Sequence, residues 1–190
     1  VTIDRVVTTP ESVTGTVADM MLRTFSSDGR LLSEAGIQSP YIGGFNDTIE
    51  FDANGGLIVC TAPFEDYTVE QITRFDVENR VLYQKTLSAP KTIVSVTDAF
   101  PSADGSVTLY GTAMANSRKL FTLYRLDLDA QGNIAAVDIR DFTTRVGYLY
   151  DVRADAQGHI YAIACDYKKP IAVVPFEDLP AHDDPGFILE

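Results

Sequence analysis

Along this chain, short runs rich in Val, Ile, Leu, Tyr, Phe and Thr alternate with polar tight-turn signals. The turns fall at Asp28-Gly29, Asn54-Gly55-Gly56, Glu78-Asn79, Asp104-Gly105, Gln131-Gly132 and Gln157-Gly158. From Gly29 through Gly55, Asn79, Gly105 and Gly132 to Gly158, the successive spacings are 26, 24, 26, 27 and 26 residues. Turn residues that tolerate positive φ, flanked by β-forming runs, predict a hairpin at each marker. A fixed period of this kind is the mark of an internal structural repeat.

The hairpins are of two kinds, which doubles the period. One kind follows its turn with a nearly continuous apolar strand, as in "LIVCTAP" after Gly56, "VTLYGTAM" after Ser106 and "IYAIACD" after His159. Such a strand is expected between two sheets, buried on both faces. The other kind precedes its turn with an alternating strand, as in "ITRFDVEN" from Ile72 and "LYRLDLDAQGN" from Leu123. Here one buried and one wetter face is expected. No stretch combines the i, i+3, i+4, i+7 apolar pattern with a helix cap. Residues 12–22 come closest, and their β-branched Val13, Thr14, Thr16 and Val17 weaken a helix there.

Two hairpins per repeat, with a full period near 50 to 53 residues, describe a four-stranded antiparallel blade. The predicted fold class is therefore all-β, a β-propeller-like array of about four blades at roughly 1–38, 45–88, 92–142 and 146–190. "RVVTTPE" from Arg5 matches "IVCTAPF" from Ile58, so the first blade is expected to begin at its second strand. The last outer strand is expected at "FILE" from Phe187, after the turn "DDPG". Three blades and three quarters of another suggest part of a longer propeller, and a four-bladed ring is the alternative.

The motifs "D-x-x-G-[NH]-[IL]-Y" and "Y-R-L-D-x-x-G-N" resemble the propeller modules of the NHL, TolB-like and WD-like superfamilies. More narrowly, the chain is similar to propeller regions that precede the solute-binding domain in surface lipoproteins of gram-positive gut bacteria. That resemblance implies an exported, cell-surface or cell-envelope module that binds a small molecule, a glycan or a protein. The chain departs from the WD pattern in having no Trp and carries no solute-binding domain of its own.

Composition narrows the chemistry. With 15 basic and 27 acidic residues the formal net charge is -12, which argues against nucleic acid as a partner because non-specific affinity for it comes from Lys and Arg. The acidic residues are scattered, as on a solvated surface. No apolar run reaches the roughly 20 residues of a membrane-spanning helix. Cys60 and Cys165 end apolar stretches and read as buried small hydrophobes.

"DLDAQGN" from Asp127 begins like a calcium loop but lacks the later oxygen ligands and the terminal Glu, and it reads as a turn. "SSDG" and "SADG" are similar to the Asp box of sialidase propellers, a structural device. His159 and His182 have no "GxSxG" partner, so no Ser-His-Asp site is predicted and no catalytic residue is assigned.

Position in the repeat gives the better candidates. In a propeller the first strand of each blade lines the central channel. Counting back seven from Gly105 and Gly158 gives Asp98 and Asp151, and the matching stretch of the preceding blade contains Asp47. These three, with Tyr150 and its neighbour Tyr148 on the same strand, are the candidate channel-facing ligand residues. A ring of inward Asp suits a polar ligand or, in a lactonase or glycosidase reading, a calcium ion. An Asp there also simply caps a turn. No cofactor or metal ligand is assigned. A non-catalytic binding module is the leading expectation, with a carboxylate-based propeller enzyme and a structural scaffold segment as alternatives.

Overall fold

The computed structural model describes residues 4–8, 20–37, 48–62, 68–115, 121–141, 148–155, 157, 159–166, 169–183 and 185–190. Among them it is all-β, with a single 3-10 turn at Phe176–Asp178 and no α-helix. The strands form four antiparallel sheets in chain order. The first holds β1 (Asp4–Thr8), β2 (Met20–Phe25) and β3 (Leu31–Ile37). The second holds β4 (Thr48–Phe51), β5 (Leu57–Thr61), β6 (Val69–Phe75) and β7 (Val81–Ser88). The third holds β8 (Thr92–Pro101), β9 (Val107–Ala115), β10 (Phe121–Leu128) and β11 (Ile134–Asp141). The fourth holds β12 (Tyr148–Ala154), β13 (Ile160–Asp166) and β14 (Lys169–Pro175).

One five-residue device makes the hairpins. In the turns from Ser26, Asp52, Asp76, Ser102 and Asp129, the first residue accepts a main-chain bond from the fourth and donates one to the carbonyl of the fifth. The fourth residue has positive φ: 83° at Gly29, 85° at Gly55, 65° at Asn79, 91° at Gly105 and 77° at Gly132. An L side chain strains in that region, which explains the Gly and Asn. Where the first residue is Asp, its carboxylate finishes the turn. Oδ1 of Asp52, Asp76, Asp129 and Asp155 accepts the N–H groups of the third and fifth residues. These hydrogen bonds hold Asp129 below the usual carboxylate range, the main-chain N–H of Asn133 most of all. The string "DAQG" from Asp129 is thus an Asx-type turn, and Asp155 caps the N–H groups of Gln157 and His159 in the same way.

The third sheet is packed on both faces. Val107, Leu109 and Ala113 of β9, with Tyr124 and Leu126 of β10, share a core with Ile58, Cys60, Ile72 and Leu87 of the second sheet. Tyr110 and Leu123 face the other way, onto Val152, Ala162 and Phe176. This two-sided packing accounts for the nearly continuous apolar character of "VTLYGTAM". Each large aliphatic side chain buried here contributes about 1.5–3 kcal/mol of transfer free energy. At Gly111 the approach is closest: an added Cβ would lie 2.0 Å from Ser95 O and 2.4 Å from Tyr124 Oη.

Two expectations are corrected. The strand from Ile72 is not wetter on one face: Ile72, Thr73, Arg74 and Phe75 of β6 are all buried. Arg74 can lie inside because it pairs through Nη2 with Asp52 Oδ2, itself the turn carboxylate before β5. In β10 the alternation holds only from Tyr124 onward, with Tyr124, Leu126 and Leu128 buried and Arg125 and Asp127 half-buried; Leu123, on the expected wetter face, is buried as well.

The second correction concerns the end of the chain. "FILE" does not complete the fourth sheet; β15 (Ile188–Leu189) pairs antiparallel with β7, Ile188 opposite Ser88 and Leu189 opposite Leu87. The intervening segment is drawn away by its anchors. Phe176 stacks edge-on against Tyr110 at 5.4 Å, and Asp141 N–H donates to Pro180 O at 2.7 Å. His182 N–H donates to Ile139 O at 2.9 Å, and Phe187 meets the Tyr124 ring at 4.9 Å. The described residues 176–183 and 185–190 therefore run as a strap from β14 past β11 to β7.

Candidate functional site

The first strands of the last three sheets lie side by side: β4 against β8, and β8 against β12. Ladder register defines the equivalent positions. Thr48 lies opposite Cys60, Asp98 opposite Tyr110 and Asp151 opposite Ile163, each three pairs before the strand's last ladder pair. Thr48 is therefore the match of Asp98 and Asp151. It stands seven before Gly55, and the expected Asp47 lies outside the described residues. Thr48 turns its hydroxyl inward and donates to Val96 O at 3.2 Å.

Asp98 and Asp151 share a local geometry. The ladder skips one residue before each, Thr97 in β8 and Tyr150 in β12, which is the signature of a β-bulge. Each carboxylate then accepts the N–H of the next residue at 2.9 Å, Ala99 for Asp98 and Val152 for Asp151. Bulges re-aim a side chain, and both carboxylates here lie within reach of one guanidinium, that of Arg153. Tyr150 is the extra bulge residue and Tyr148 lies opposite Cys165; their side chains fall outside the described ones.

Arg153 joins the two carboxylates. Its Nη2 lies 2.8 Å from Asp151 Oδ2 and its Nη1 3.2 Å from Asp98 Oδ2. Arg153 follows Asp151 by two, hence on the same strand face. Burial differs across the group, with Asp98 side-chain exposure at 6% and Arg153 at 63%. Desolvation pushes the Asp98 carboxyl up to about 6, and the neighbouring charges of Glu50 and Asp151 add to it while the Ala99 N–H and Arg153 oppose it. Burial also raises Glu50, and Arg153 opposes that shift too. Glu50 is two residues beyond Thr48 and register-matched to Arg153.

Three acidic groups and one guanidinium, contributed by three sheets, form the candidate site. The arrangement offers carboxylate acceptors, a forked donor reaching solvent, and in Asp98 a group able to exchange a proton near neutral pH. Among the described residues no group of three His, Cys, Asp or Glu side chains is placed to hold a metal ion. Between Asp98 and Asp151 the cationic place is taken by Arg153. The two histidines lie elsewhere: His159 Nδ1 is 2.9 Å from Asp155 Oδ2 in its own turn, and His182 Nδ1 is 3.0 Å from Asp183 O.

The structure brings two of the sequence-derived candidates, Asp98 and Asp151, to one guanidinium, and it adds Glu50 and Arg153, which the sequence analysis did not name. The signal for both was the two-residue side-chain period, applied from Thr48 and from Asp151. Neither a protein-family model nor a curated protein matches this sequence. No helix among the described residues is long and apolar enough to cross a membrane.

Proposed function

We propose that this chain is a propeller-type, non-catalytic recognition module that binds a small polar or glycan ligand at the Glu50, Asp98, Asp151 and Arg153 cluster. The observation that carries the reading is the bridging of Asp98 and Asp151 by one guanidinium. Charge-paired carboxylates keep free acceptor lone pairs while Arg153 supplies donors, a mixed set suited to hydroxyl-rich or zwitterionic ligands. The neighbouring first strands of three successive sheets support the blade arrangement. A cell-surface or cell-envelope location belongs to the same reading and rests on the resemblance of the repeats.

The test is a glycan array and a 15N NMR titration with small sugars and amino acids, on the wild type and on Asp98→Asn and Arg153→Met. Shifts centred on residues 48–50, 98–99 and 151–153 that both variants abolish are the expected result. Ligand-induced shifts confined to other strands would remove the assignment.

One observation favours a second reading, a carboxylate-based hydrolase: Asp98 has the raised pKa of a proton donor. It predicts turnover of a chromogenic lactone or glycoside that Asp98→Asn abolishes. A divalent metal would have to displace Arg153 from between the carboxylates, so metal-independent turnover is the form this reading takes.

A further inference from the structure

Two side chains of the second sheet reach across to main-chain carbonyls of the third. Thr48 Oγ1 donates to Val96 O at 3.2 Å, and Asn54 Nδ2 donates to Ala103 O at 3.5 Å. The first tie lies at the start of β4 and the second in the turn that follows it, so both hold the seam where β4 runs beside β8. The second tie rests on a reactive dipeptide, the one Asn-Gly pair in the sequence. After such an Asn no side chain shields the next main-chain nitrogen, which can therefore reach the side-chain amide carbon. Asn54 is exposed, and an added Cβ on Gly55 would meet nothing within 4 Å among the described residues. What restrains the pair is the turn itself: Gly55 N–H donates to Asp52 O at 3.0 Å, and Asn54 N–H donates to Asp52 Oδ1 at 2.8 Å. Bonds confined to an exposed turn open far more readily than those of the core. Asn133 lacks this exposure to attack, since Ile134 follows it and the Asp129 carboxylate accepts from its amide.

We propose that Asn54 is a site of spontaneous deamidation whose conversion releases the tie to Ala103. The Gly55 nitrogen, giving its proton to hydroxide, attacks Asn54 Cγ. A C–N bond forms and closes a five-membered imide, while the Cγ–Nδ2 bond breaks and ammonia leaves. Water then adds to either imide carbonyl and reopens the ring, leaving aspartate or, with the main chain rerouted through the side chain, isoaspartate. The step consumes one water, releases one ammonia and needs no oxidant or cofactor. Either product changes the seam. An ionised carboxylate is an acceptor only, so it cannot donate to Ala103 O, and it adds negative charge to a turn already capped by the Asp52 carboxylate. Isoaspartate also lengthens the main chain of the turn by one methylene, which displaces the Gly56 N–H from Asp52 Oδ1, now 2.7 Å away. Asn54 stands outside the group of Glu50, Asp98, Asp151 and Arg153, so this chemistry does not depend on the ligand reading.

The test uses the full chain, incubated folded at pH 8.5 and 37 °C and, in parallel, unfolded in guanidinium chloride. Peptide mapping by mass spectrometry is expected to show a gain of about 1 Da at residue 54, with aspartate and isoaspartate told apart by electron-transfer fragmentation. The folded chain is expected to convert about tenfold or more slowly than the unfolded one, since the bonds to Asp52 must open first. Asn54→Gln, which would have to close a six-membered ring, is expected to keep its mass. In 15N NMR spectra of the converted protein the amides of Ala103 and Asp104 are expected to shift, while those of Val152 and Arg153 stay in place. An Asn54→Asp variant is expected to reproduce the shifts of the aspartate product. Three results would overturn the proposal: a folded chain that gains no mass while the unfolded chain converts completely, conversion at another asparagine with Asn54 intact, or conversion at Asn54 that leaves the Ala103 and Asp104 amides unmoved.

Discussion

Arg153 reaches out of β12 to place Nη1 3.2 Å from Asp98 on β8 while holding Asp151 of its own strand at 2.8 Å. One exposed cation thus keeps a buried carboxylate and a half-buried one together across the gap between two sheets.

The pH response of folding follows from Asp98. Its folded pKa of about 6 lies above the unfolded value, so the native state binds the proton more tightly. Stability is therefore greatest below about pH 4 as far as this group is concerned, falls as pH rises through 4 to 6, and the full cost is present above. Asp98→Asn is expected to remove that loss, of roughly 2–3 kcal/mol. Urea unfolding at pH 4.5 and pH 7.5 checks it, and a variant with the wild-type pH slope would refute it.

Removing the bridge acts differently. Arg153→Met is expected to cost no more than about 1 kcal/mol, since the guanidinium is largely in water. It is expected to raise the Asp98 pKa further, because a group that favoured the charged form has gone while Asp151 stays. Carbon-13 NMR titration of the Asp carboxyl signals reads this directly.

Inside the second sheet, Arg74 and Asp52 are both buried, at 3% and 7% side-chain exposure. Arg74→Met is expected to destabilise by about 3–5 kcal/mol, because it strands a buried carboxylate. Adding Asp52→Asn should return part of that loss, since an amide oxygen can still accept the N–H groups of Asn54 and Gly56. A double-mutant cycle measures the coupling; strict additivity would contradict the pairing.

Gly111→Ala tests the closest contact in the third sheet. A methyl there meets Ser95 O and the Tyr124 side chain, neither of which can move without shifting a strand or the core. The expected loss is about 2–3 kcal/mol or more. Pairing it with Tyr124→Phe, which removes the hydroxyl in the way, should relieve part of it, as thermal unfolding midpoints would show.

The strap makes a kinetic prediction. Phe187→Ala with Leu189→Ala removes the two apolar anchors of β15, and hydrogen exchange at the Thr86 amide is expected to accelerate by about tenfold or more while β9 and β10 keep their protection. Uniform acceleration across the third sheet would instead make the strap part of the global folding unit.

By itself the sequence determined what is local. The turn residues from Ser26 to Asp155 set the hairpins because positive φ and a carboxylate that can cap its own turn depend only on a few neighbouring residues. The apolar strands between them set the all-β class. The sequence also marked Asp98 and Asp151, since equal distances from equivalent turns mean equal ladder positions. Tertiary structure decided the rest. That Arg153 of one sheet meets Asp98 of another, that Glu50 adds to their field, and that Arg74 is tolerated inside β6 all depend on which sheets come to face each other. The destination of "FILE" depended on Phe176, Pro180 and Phe187 finding partners on earlier sheets, and contacts between residues roughly 40 to 100 positions apart leave no short-range pattern along the chain.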